Sequence, residues 1–100
     1  GNQRIEGGTV EVAMKLADKF GMKHVLFDAE IYLIRDRNKV EKGLKLLLAT
    51  RYNLLTLMEH CMSKLIDKNS ISSVKMSDYY DDLPSVIKEV LFDKLIKVAR

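Results

Sequence analysis

One hundred residues, 47% hydrophobic and 31% charged with a single Pro, make one domain or a piece of one and are too apolar for a disordered chain. Seventeen Lys and Arg against fourteen Asp and Glu leave a net charge of +3, spread along the chain without a run of like sign. That argues against a nucleic-acid surface, where many phosphates must be neutralised together, and no stretch approaches the about 18 uninterrupted apolar residues of a membrane span.

The chain opens at Gly1 without Met and stays polar and glycine-rich through Gly8. Residues 1–8 therefore read as a linker or vector remnant ahead of a piece of a longer protein. Gly7 and Gly8 match no phosphate-binding loop, because no strand precedes them. Thr9 can cap a first helix, with Glu11 in its opening turn where the helix dipole favours a carboxylate. Val12, Leu16 and Phe20 recur every four residues beside Ala13 and Ala17 and form its apolar stripe. Gly21 stops the helix, since a residue just past a helix end often turns left-handed and Gly does so without steric cost. Met22 can then fold back on the last turn. A second helix over 23–35 turns Val25, Leu26, Ala29, Leu33 and Ile34 inward, and so short a connection makes the two an antiparallel hairpin.

The same unit is then written again. Ala17 pairs with Ala49, Phe20 with Tyr52, Ala29 with Cys61 and Ile34 with Ile66, at a constant offset of 32 residues. Asn38 with Glu41 three residues on resembles a capping box. Leu44, Leu47, Leu48 and Tyr52 rebuild the stripe, and Asn53 stands where Gly21 stood, the next-best residue for a left-handed stop. Leu57, Met58, Cys61, Leu65 and Ile66 line the fourth helix. A fixed period of this size marks stacked supersecondary units, each too small to bury its own apolar face. A tetratricopeptide array is disfavoured, because its period is about 34 and its Trp/Gly/Pro signature is missing.

After the second hairpin the pattern changes. Residues 69–77 are rich in Ser and Asn, with Ile71, Val74 and Met76 as anchors, and read as a loop with one short helical turn. Residues 77–82 suggest another short turn capped by Ser77. Leu83-Pro84 opens the last helix, where Pro fits the first turn. Ile87, Leu91, Leu95 and Val98 line its inner side, flanked by Val86 and Val90, and the helix is expected to cross the second hairpin. The fold class is thus all-α: two stacked antiparallel helical hairpins followed by a loop, a short helical turn and a C-terminal helix.

The run Val10-Glu11-Val12-Ala13-Met14-Lys15-Leu16-Ala17-Asp18-Lys19-Phe20, then Met22-Lys23-His24-Val25 and Glu30-Ile31-Tyr32-Leu33-Ile34, resembles the closing helical pair of a BTB/POZ domain. Leu46-Leu47-Leu48-Ala49 with Tyr52-Asn53-Leu54, Leu57, Cys61 and Ile66 resembles the helical pair that follows in that family, the 3-box or start of the BACK domain. Tyr80-Asp81-Asp82-Leu83-Pro84-Ser85-Val86-Ile87-Lys88 with Phe92-Asp93-Lys94-Leu95-Ile96 is similar to the tail of this segment in nematode BTB proteins. The resemblance covers residues 9–98. It implies a BTB-terminal hairpin over 9–37 and a 3-box/BACK-like segment over 38–100. The function implied is a non-enzymatic protein–protein interaction module in an adaptor of a cullin ubiquitin ligase, with a self-associating scaffold without ligase role as the alternative. BTB domains typically dimerise, and the strand-rich body that carries the dimer interface has no counterpart in these 100 residues. The partner expected is a protein, a cullin or a second copy, with no nucleic acid, membrane, cofactor or small-molecule substrate.

Candidate chemistry is sparse. Glu59-His60-Cys61 is the one stretch that suggests it, but adjacent helical residues point about 100° apart, a poor geometry for a Cys–His pair. Cys61 aligns with the inward Ala29 and reads as a small buried residue. A lone Cys offers no internal disulfide and fits a reducing compartment, cytoplasmic or nuclear. His24 and His60 lie in different repeats, and no HExxH or CxxC spacing exists, so neither a catalytic nor a metal site is expected. Phe27, Tyr32 and Met62 sit at positions that the stripes do not claim, and Phe27 is Glu59 in the second copy. Tyr79 and Tyr80 stand beside Asp78, Asp81 and Asp82. These five are the candidate partner-binding residues, where aromatic and Met side chains serve as anchors. The plainer reading is surface scatter or contact with the last helix for the first three, and a cap and lid on the hairpins for the tyrosine pair.

Overall fold

The computed structural model describes residues 7–37 and 39–99, and within them the chain is all-α without a strand. The first hairpin is α1 (Gly7–Lys19) and α2 (Lys23–Arg35); the second is α3 (Lys42–Arg51) and α4 (Leu55–Ser63). Then come α5 (Lys68–Lys75), a 3-10 turn at Tyr80–Asp82, and α6 (Ser85–Val98). The result is an elongated stack, 46 × 29 × 21 Å.

Both hairpins turn as the repeat demands. Gly21 has φ +66° and Asn53 φ +54°, left-handed values at equivalent places. At the first stop the Met22 amide donates to the Ala17 carbonyl at 2.7 Å and the Gly21 amide to Asp18 at 3.2 Å, the paired bonds of a Schellman motif. At the second, Leu54 donates to Ala49 at 2.9 Å. Ala17 and Ala49, which supply these carbonyls, are 1% exposed each.

Two clusters form the core. The first joins Val10, Met14, Leu33 and Val40 of the first hairpin and its exit to Leu44, Leu48, Ala49, Leu54 and Leu57 of the second. The other joins Leu46 and Leu47 of α3 to Leu65, Ile71, Val74, Leu83, Ile87 and Leu91. Helix α3 is thus buried on both sides, with every residue from Gly43 to Ala49 inside, and it is the central layer of the stack. Full burial of each such Leu or Ile stabilises by roughly 1.5–3 kcal/mol.

Several expectations are corrected. Helix α1 starts at Gly7, so Gly7 and Gly8 are helical rather than linker and Thr9 lies inside the helix instead of capping it. The stripe Val12, Leu16 and Phe20 is exposed, while Val10, Met14 and Ala17 are the buried face. The proposed cap at Asn38 lies outside the described residues; α3 begins at Lys42 with Glu41 at its N-cap and no side-chain bond there. Ile66 lies three residues past the end of α4 and is exposed. The region read as a loop is helix α5, because Asp67 and Ser70 form a reciprocal capping box. The Asp67 carboxylate accepts from the Ser70 amide at 2.7 Å, and the Ser70 hydroxyl accepts from the Asp67 amide at 3.2 Å. Ile71 and Val74 are anchors, but Met76 faces outward. The Ser77 hydroxyl donates back to Val74 at 2.7 Å and does not cap the turn that follows. Pro84 occupies the N-cap of α6, one place ahead of the first turn. Ile87 and Leu91 are buried as expected, Leu95 is half-buried, and Val98 is exposed. Helix α6 packs chiefly on α5, reaching the second hairpin through the cluster around Leu46 and Leu47.

Candidate interaction surface

Two polar devices fix one hairpin against the next. In the crossover, the Asp36 carboxylate accepts from the Val40 amide at 3.0 Å and pairs with the Lys45 ammonium at 3.0 Å. Lys45 also donates to the Asp36 carbonyl at 3.2 Å, and the two side chains are 9% and 2% exposed. Burial alone would raise the Asp36 carboxyl, but the Val40 amide and Lys45 outweigh it and hold it below the ordinary value. The second device is Glu30. Helix α4 has Leu54 at its N-cap and no side-chain cap there, and the Glu30 carboxylate on α2 accepts from the Leu57 amide at 3.0 Å. One hairpin thus caps a helix of the other. Sequence reasoning missed both; the one available signal was an apolar residue at a helix start, which leaves donors for an outside acceptor.

What the stack leaves uncovered is the outer side of α1. Val12 is 59% exposed, Leu16 50% and Phe20 67%, with Ala13 beside them. Lys15 and Lys19 are exposed on the same helix, Lys19 lying 5.8 Å from the Phe20 ring centroid. At the edge of this face a cleft of about 460 Å³ is lined by Glu11, Val12, Lys15, Arg51 and Tyr52, and Glu11 meets Arg51 across it at 3.4 Å. Val12, Leu16 and Phe20, four residues apart, share one exposed side of α1.

The five candidate residues do not gather at one place. Phe27 is exposed on α2. Tyr32 is partly buried against the first cluster, and Met62 against the second. Tyr79 packs on both clusters and bridges them. Its burial, and then Glu41, Glu11 and Asp78 nearby, push its phenol upward. Tyr80 rests on the second cluster, with the Lys88 ammonium 5.3 Å from its ring centroid. The tyrosine pair thus packs on the core, Tyr79 on both clusters and Tyr80 on the second. Cys61 is partly buried and its thiol is pushed up to about 11 by burial, against a small opposing pull from Lys45, so it is a protonated packing group. Burial, then Lys64 and Lys45, lower His60 and favour the neutral ring. Among the described residues no His, Cys, Asp and Glu cluster could hold a metal ion, and no helix is long and apolar enough to cross a membrane.

Comparison with known proteins gives two relatives among curated chains. The sequence is 33% identical over 92 residues to BTB and MATH domain-containing protein 36 of Caenorhabditis elegans, covering 92% of this chain and 28% of that protein. It is 23% identical over 95 residues to BTB and MATH domain-containing protein 38 of the same organism, covering 95% of this chain and 24% of that one. The chain thus spans about a quarter of the length of the curated relatives it matches, and it is related to BTB-domain proteins over nearly all of its own length. No family model matches, and no solved structure matches.

Proposed function

We propose that this chain is a non-enzymatic protein–protein interaction segment of a BTB-type adaptor for a cullin ubiquitin ligase, made of a BTB-terminal hairpin and a 3-box/BACK-like extension. The observation that carries the reading is similarity to BTB and MATH domain-containing proteins over more than nine-tenths of the chain. The exposed apolar side of α1 supports it, since a stacked module that works by contact needs a surface to offer. Recruitment is tested by pull-down of a cullin N-terminal region with the chain joined to a BTB body. Retention of the cullin is the expected result, and its absence from the bound fraction overturns the ligase reading.

A second reading is self-association without a ligase role, favoured by the exposed Val86, Val90, Phe92 and Ile96 of α6. Size exclusion with light scattering separates the two, because a strict monomer at high protein concentration counts against a scaffold.

A further inference from the structure

We draw no further inference here: the strongest candidate, the exposed edge of α6 formed by Phe92 and Ile96 beside Lys75 of α5, is an unpartnered apolar face, and nothing in the structure shows what covers it.

Discussion

Asp36 and Lys45 show what a buried pair does at the crossover between two units. The carboxylate is almost wholly enclosed and holds both an amide and an ammonium. Removing one partner leaves the other charged and desolvated, so Lys45→Ala should cost about 3–5 kcal/mol in urea denaturation. Replacing both by aliphatic residues of similar size should return most of that loss. The same pair sets a pH response. Because the folded-state value of Asp36 is depressed, its contribution is fully present above the unfolded value of about 4 and is lost as pH falls below it. Acid titration of wild type against Asp36→Asn checks this, with the difference between them shrinking below about pH 4. Gly43 makes a sharper demand. A Cβ there would run into the Ser77 hydroxyl oxygen and lie 2.9 Å from the Ser77 Cβ, so Gly43→Ala should cost about 1–3 kcal/mol, with Ser77→Gly easing it. At Gly21 the cost is of another kind. Nothing lies within 4 Å of an added Cβ, so Gly21→Ala pays only for the left-handed backbone, about 1–2 kcal/mol. Gly21→Asn should cost less than Gly21→Ala in the same melt, because Asn53 already holds an equivalent stop.

At the scale of the element, α1 and α3 share a pattern and differ in fate. The spacing of Val12, Leu16 and Phe20 correctly marked an apolar side of a helix, and the matching side of α3 is buried. Periodicity reports which side is apolar. Whether a neighbour is present is a property of position in the stack, which a local pattern does not carry. The left-handed stops were legible because they are local: one backbone conformation, one residue type that tolerates it. Helix α5 was not, for a different reason. Its capping box uses Ser70 where Glu or Gln is the usual partner, and six of its eight residues are Lys, Asn or Ser, which read as a loop. Ser70→Ala should cost about 1 kcal/mol, felt as faster amide exchange in α5 rather than in the hairpins.

Across the whole molecule, the order of two hairpins, cap and final helix was readable, while the ties between layers were not. Asp36 and Lys45 are nine positions apart across a crossover, and Glu30 reaches Leu57 across 27. Neither separation has a helical or strand period, so no periodic reading could find them. Those long-range ties also decide how the stack comes apart. The second hairpin depends on a carboxylate of the first for the start of α4, so the two are not interchangeable beads. Loss of order at the N-terminal end must travel inward, because unfolding α2 withdraws the acceptor that α4 has in place of its own cap. Glu30→Ala should therefore loosen α4 without touching its sequence, seen as faster exchange at Leu57 and Met58 with α5 unaffected. The direction of a stack is usually described by its geometry; here it is also the direction in which disorder spreads.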